Sequence, residues 1–329
     1  MHYFIQPATV AATAPAVAVV EPARGTPVAG SQPGPHPAAV VTGVRVAALH
    51  TYPVKGCRRL DHDDARVEPW GLAGDRRWMI IDPDGVGITQ REAPALVHIH
   101  PRPVAGGLTL HTAGRPTPDV PPPVVPTLDV CAPVAGPPVQ VRVFLAKAPV
   151  PARLAAATAH AWISAVIGRP ARLAWLADPT VRAVDPDHGR PGDVVSFADG
   201  YPVLLTNAAS LDAVNDWLVE SGDPAAPLPM HRFRPNVVIG GAPAWAEDGW
   251  LGRRIRIGDV TFRVAKTCTR CVVTTTDQDT GERGQQPLRI LARHHRGPKG
   301  VLFGMNIIPD GTGRITVGDN VVVAAGPDS

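Results

Sequence analysis

Val260-Thr261-Phe262-Arg263-Val264 is followed, after Ala265, by Lys266-Thr267-Cys268-Thr269-Arg270-Cys271. Apolar residues at every second position mark a strand with one face buried. The strand ends in a C-x-x-C set between a lysine and an arginine. Reading outward, strands dominate from residue 236 to residue 323, broken by a helix around 287–294. Many short strands with few helices predict a mainly β protein with some α, built as barrels rather than as a doubly wound sheet.

The same pattern continues toward the N-terminus. Strands are expected at 44–50, 65–69, 74–82, 95–100, 108–112, 139–145, 171–176 and 203–207. The turn Pro83-Asp84-Gly85 is a hairpin signal. Residues 116–126 form a proline-rich loop, too poor in donors for a central strand. A helix is expected at 152–167, with Leu154, Ala157, Ala161, Ile163 and Val166 on one face and Gly168 ending it. A second, at 209–218, has Asn207 or Ser210 as its cap. Residues 178–193, with mixed charge, proline and glycine, read as a mobile inter-domain loop. Residues 1–43, rich in Ala, Val and Pro with one acid (Glu21) and one arginine (Arg24), read as a disordered tail or an overextended start. They match neither a secretory signal nor an arginine-rich presequence.

At 329 residues the chain has room for two domains, here 44–177 and 178–329. With 38 Pro and 32 Gly it is rich in loops. A net charge of only +3 gives no general nucleic-acid surface. No apolar run approaches the length of a membrane span, so the expectation is a cytoplasmic protein that engages no membrane. Cys57, Cys131, Cys268 and Cys271 read as reduced thiols.

Three readings compete with a plain structural pair for Cys268-Thr269-Arg270-Cys271. A zinc site needs two more ligands, for which only His294 and His295 stand near, and no second C-x-x-C exists. A thioredoxin-type pair belongs at a helix start, whereas an apolar strand is expected after Cys271. The third is a single thiolate on a cofactor metal, favoured by nearby positive charge. Two further basic turns, Tyr52-Pro53-Val54-Lys55-Gly56-Cys57 and Phe233-Arg234-Pro235-Asn236, suggest with the first a single anion-binding cleft. Pro235 is expected to extend the backbone at Arg234, aiming its guanidinium outward. Gly56 is expected to let the backbone approach a ligand beside Lys55. Of Arg76 and Arg77, alternation sends one to the cleft and one to solvent. Asp199-Gly200-Tyr201 and Phe303-Gly304-Met305-Asn306 are further turns suited to close approach. Asp277 to Gly281 reads as a turn rather than a calcium loop, and His294-His295 as a solvated helix end.

At these residues the chain resembles the MOSC family, named for the molybdenum cofactor sulfurase C-terminal domain. It is most similar to two-part members with an N-terminal MOSC β-barrel domain, such as the mitochondrial amidoxime-reducing component and its bacterial relatives. The resemblance runs from residue 44 to the end. It rests on Tyr52-Pro53-Val54-Lys55, Gly74-Asp75-Arg76-Arg77-Trp78, Phe233-Arg234-Pro235-Asn236, Thr269-Arg270-Cys271 with Asp277 to Gly281, and Phe303-Gly304. It implies two β-barrel-like domains and a molybdenum cofactor (a molybdenum–molybdopterin). Cys271 matches the thiolate on the metal; Lys55, Arg76 and Arg234 match cofactor-gripping residues. Gly56, Gly200, Tyr201, Asn236, Thr269, Arg270 and Asn306 match further contacts. Relatives often have serine at Gly56 and a hydroxyl pair at Gly200 and Tyr201.

The activity implied is reduction of N-hydroxylated small molecules, with Asp199 beside the cofactor turn as a catalytic candidate. Because no iron–sulfur domain follows residue 329, electrons are expected from a separate ferredoxin, flavoprotein or cytochrome b5-like protein. The alternative is a cofactor-binding or sulfur-carrying module without turnover.

Overall fold

The strand Val260–Thr269 lies inside the largest sheet of the computed structural model, which describes residues 43–112, 126–144, 146 and 148–327. Seven strands run in the order Val321–Pro327, Arg253–Ile257, Val260–Thr269, Gly300–Pro309, Val203–Asn207, Val237–Gly240 and Arg45–Thr51. Backbone bonds then join the first strand to the start of the last. Val46 donates to the Asp319 carbonyl (2.9 Å), Gly318 to Val46 (2.8 Å) and Val321 to Val44 (2.9 Å). These bonds close the ring and leave no unpaired edge there. Every strand of the ring sends residues inward, among them Val46, Leu205, Ile239, Ile255, Phe262, Ile307 and Val323. Burying a side chain such as Phe262 contributes about 1.5–3 kcal/mol.

A second sheet orders Val139–Val141, Val150–Leu154, Arg172–Trp175, Trp78–Ile81 and Val54–Lys55. Trp78–Ile81 is buried on both faces, with Trp78 and Ile80 in one core cluster and Met79 and Ile81 in another. A continuous apolar run is what such a strand requires. On the first of these faces pack the helix α1 (Ala157–Ile167) and the hairpin Ile99–Val104/Gly107–Thr112 with its third strand Leu128–Cys131. The N-terminal strand Arg45–Thr51 pairs with Val237–Gly240 in the first sheet, so the chain's two halves share a strand.

Several local expectations change. Residues 95–100 divide into a 3-10 helix, Pro94–His98, and the start of the strand Ile99–Val104, because Pro94 sits at its first turn. The helix expected from 152 begins at Ala157; Val150–Leu154 is a strand pairing on both sides. The strand expected across 74–82 covers only Trp78–Ile81, with Arg76 in a turn at φ 45°. After Cys271 comes a 3-10 helix, Val272–Thr275, rather than a strand. The 178–193 loop is packed down, with Arg182 and Val184 buried. The helix α2 (Ala208–Glu220) is capped by Asn207, which accepts from the Ala209 amide, and α3 is Leu288–His294. The tail through residue 42 and most of the proline-rich loop, 113–125, lie outside the described residues.

Candidate functional site

The strands Val203–Asn207 and Val237–Gly240 are parallel neighbours, so the turns that enter them, Asp199 to Tyr201 and Arg234 to Asn236, lie at one end of the ring. Gly300–Pro309 sets Asn306 beside Leu204 on one side and Lys266 on the other, at an irregularity between Val264 and Lys266. Thr269, Arg270 and Cys271 follow where Val260–Thr269 ends. From the second sheet, Val54–Lys55 contributes Lys55 and Gly56, and Arg76 stands just before Trp78–Ile81. Asp199 and the eleven residues that the resemblance matches to cofactor contacts all border one cavity of about 420 Å³.

Tyr52 organises the cationic wall. It is buried, its hydroxyl donates to the Pro235 carbonyl (3.1 Å), and two guanidinium groups, Arg76 and Arg234, each lie 4.2 Å from its ring centroid. Such contacts are worth about 0.5–2 kcal/mol each. Both arginines hold left-handed backbone, at φ 45° and 55°; among the described residues only Trp245 joins them outside glycine. Strain of this kind, about 1–3 kcal/mol a residue, persists where surroundings over-determine it. The expected extension at Arg234 is therefore corrected. Its amide closes the preceding 3-10 helix onto the His231 carbonyl, and its guanidinium donates to Gln278 Oε1 (3.0 Å) and the Cys57 carbonyl (2.9 Å). Burial pulls Arg234 down to about 10, still cationic at neutral pH. Arg76 donates to Asp75 (2.6 Å) and to Asn236 Oδ1 (3.0 Å), while Arg77 turns away from the cleft onto the Leu176 carbonyl and packs half-buried on Trp175 rather than pointing to solvent; both precede the strand, so alternation does not set their directions. Asn236 also bonds the His50 carbonyl and the Leu204 amide, which makes it a brace for Arg76.

Lys55 reaches the Phe197 carbonyl (2.7 Å) and the Asp199 carboxylate. Burial pulls its ammonium down to about 8, against the opposing attraction of Asp199. Enclosure would raise the Asp199 carboxyl, but Lys55 overcomes this and holds it below the usual range; its side chain keeps 45% exposure. The loop carrying Asp199 is fixed by a residue the sequence reading passed over. Buried Arg182 donates to the carbonyls of Ser196, Ala198 (2.5 Å) and Asp199 (2.8 Å).

Cys271 is half-buried at the N-terminal end of Val272–Thr275, and Arg91 Nη2 lies 3.0 Å from its sulfur. Arg91, in the loop after Thr89, was also missed, since nothing in Thr89-Gln90-Arg91 marks it as close to residue 271. Cys268 borders the same cavity, with Arg270 Nη1 at 2.9 Å from its sulfur. All four cysteines are free thiols; Cys57 is sealed in the core, where burial pushes it up to about 12. Gln90 and Gln278 exchange amide bonds of 2.9 Å, tying the Gly56 carbonyl to Arg234.

At two glycines the backbone itself excludes a side chain. Gly56 has φ 85° with Leu96 3.0 Å from a would-be Cβ, and Gly304 has φ 79° with the Leu205 carbonyl at 2.6 Å. His295 is no solvated end: it bonds Asp248 (2.7 Å) and the Leu302 carbonyl and packs on Trp245. Asp277 caps its own turn through the amides of Asp279 and Thr280. Among the described residues no group of three or more His, Cys, Asp or Glu forms a metal cluster, so the zinc reading of the C-x-x-C has no further ligands.

Six cations, Lys55, Arg76, Arg91, Arg234, Lys266 and Arg270, border the cavity against one carboxylate, Asp199. Two lining atoms, the Tyr201 hydroxyl and Arg270 Nε, are buried with no hydrogen-bond partner among the described residues. Such a donor set fits an anion that also offers a soft metal to sulfur.

A profile of the MOSC domain matches residues 192–322, and one of the MOSC N-terminal beta barrel domain matches residues 43–170. The chain is 30% identical over 296 residues to mitochondrial amidoxime-reducing component 1 of Homo sapiens, covering 84% of this chain and 82% of that one. The Mus musculus protein of the same name is 30% identical over 293 residues, with 84% and 81% covered. Molybdenum cofactor sulfurase of Danio rerio is 29% identical over 78% of this chain, which spans 31% of that protein.

Proposed function

This chain belongs to the MOSC family in its two-part form, and on that premise we propose that it is a molybdenum-cofactor-dependent oxidoreductase that reduces N-hydroxylated compounds. The observation carrying the reading is the convergence of six cations and the Cys271 sulfur on one cavity. The human relative's name, an amidoxime-reducing component, supports the substrate class. The residues fit the cofactor: Lys55, Arg76 and Arg234 would hold its phosphate and pterin, and Cys271 its metal. Thr269, Arg270, Asn306 and the Gly56, Gly200 and Tyr201 segments would line its flanks. When bound, such a group supplies two-electron chemistry at the N–O bond, and the protein supplies placement and electrostatics.

The Lys55–Asp199 pair has a defined proton inventory. Asp199 is ionised, so it serves as an acceptor for a substrate N–H or O–H. Lys55, titrating near about 8, is the member with a proton to give. Reduction of an amidoxime to an amidine consumes two electrons and two protons and releases water. The electrons would come from a separate carrier protein.

The test is conversion of benzamidoxime to benzamidine by the full chain, purified from a host that makes the cofactor, with reduced methyl viologen as donor. Turnover that tracks molybdenum content is expected. Molybdenum without turnover would replace this reading with a cofactor- or sulfur-carrying module, a role in keeping with the sulfurase relatives.

A further inference from the structure

The cavity holds more positive charge than a cofactor phosphate accounts for. Of its six cations, Lys55 is paired with Asp199 and Arg76 with Asp75. Among the described residues, Arg91, Arg234, Lys266 and Arg270 have no carboxylate within ion-pair distance. A phosphate carries at most about two negative charges and the Cys271 thiolate about one more, which leaves about one cation over. Engagement within the protein separates the four. Arg234 is fixed by Gln278, the Cys57 carbonyl and the Tyr52 ring; Arg270 is fixed by the Phe233 carbonyl (2.5 Å) and Cys268. The ammonium of Lys266 has, among the described residues, the Tyr201 ring at 5.9 Å.

Arg91 is held differently. Its backbone is pinned by Arg283, which donates to the carbonyls of Gln90 and Arg91. Its guanidinium lies 3.8 Å from the Phe144 ring centroid and places one nitrogen 3.0 Å from Cys271 Sγ. The other makes only a long contact of 3.4 Å to Thr89. Phe144 itself is 41% exposed, offering an apolar surface beside this cation.

We propose that Arg91, with Lys266 in a supporting part, selects N-hydroxylated substrates that carry an anionic group on an apolar body. Arg91 is the specificity-determining residue. This rests on the reductase reading but concerns a different contact, and a binding measurement separates the two. The guanidinium is anchored by its backbone and its ring contact, so it meets an incoming carboxylate or phosphate with little reorganisation.

The experiment compares benzamidoxime with 4-carboxybenzamidoxime, which share the reacting group and differ by one charge, and 4-phosphonobenzamidoxime distinguishes the two anion types. With the cofactor-loaded full chain, the carboxylate is favoured about tenfold in kcat/KM, through KM, as expected for a charge-assisted contact. In Arg91→Gln that ratio falls to within about twofold of unity, and Arg91→Lys keeps part of it. Calorimetric titration with 4-carbamoylbenzoate against neutral benzamide reads the same preference without turnover. If neither amidoxime is reduced, the reductase reading fails while the titration still decides this one. Equal binding of the two amides by the wild type overturns the proposal, as does an equal loss for charged and neutral compounds in Arg91→Gln. Thermal melts of both variants show whether a loss reflects unfolding.

Discussion

Replacing Lys55 by methionine removes a buried ammonium, and the consequence is a change in how stability depends on pH. The group titrates near about 8 in the folded chain against about 10.5 for an ordinary lysine, chiefly through burial and net of the help from Asp199. At about 1.4 kcal/mol for each pH unit between those values, keeping it charged costs about 3 kcal/mol. The sign follows from proton binding: between about 8 and 10.5 the unfolded chain holds the proton and the folded chain does not. The penalty is therefore full below pH 8 and fades as pH rises through 10.5. Lys55→Met also leaves the Phe197 carbonyl without its donor, about 1–3 kcal/mol against the variant, but that loss does not vary with pH. Urea denaturation of both proteins from pH 7 to 10.5 isolates the difference. The wild type is expected to gain about 3 kcal/mol relative to the variant across that window. Parallel curves would refute the buried, charged lysine and with it the electrostatic account of the site.

Arg182→Met strips the donor from three carbonyls around Ser196 to Asp199 and is expected to cost about 2–4 kcal/mol by denaturant titration; an unchanged midpoint contradicts the clamp. Tyr52→Phe keeps the ring between Arg76 and Arg234 and loses only the bond to Pro235, about 1 kcal/mol, whereas Tyr52→Leu also loses both cation contacts and costs more. Equal melting losses would show that the stacking contributes nothing. Gly304→Ala places a Cβ on the Leu205 carbonyl at positive φ, with an expected loss above about 2 kcal/mol; wild-type stability would mean the strands separate freely. Inorganic pyrophosphate, titrated into cofactor-free protein, is expected to bind more weakly as pH rises past about 8, because Lys55 gives up its proton there. Affinity that holds constant to pH 10 excludes Lys55 from the anion site.

The β character and the cluster of site residues were legible because both write short-range signals. Val260–Thr269 alternates, and Lys55, Arg234 and Cys271 each sit in a turn with proline, glycine or a second cysteine beside it. Arg91 and Arg182 left no such mark, since their roles come from what lies far away in sequence: a thiol 180 positions on, and carbonyls presented by a folded loop. The strand Val150–Leu154 was hidden by alanines that suit helix and strand alike. The left-handed turn at Arg234 was hidden because the following proline argues for extension, while the guanidinium's tertiary contacts prevail. Local rules fail most visibly where the site stores strain, which is where tertiary contacts are expected to override them.

Molybdenum and pterin, quantified together in the full chain and in its Cys271→Ser and Cys268→Ser variants, test the central claim most directly. The account predicts both components bound in the wild type, metal lost with Cys271 and largely kept with Cys268. Wild-type protein without molybdenum from a host that makes the cofactor, or equal retention by the two variants, would contradict it.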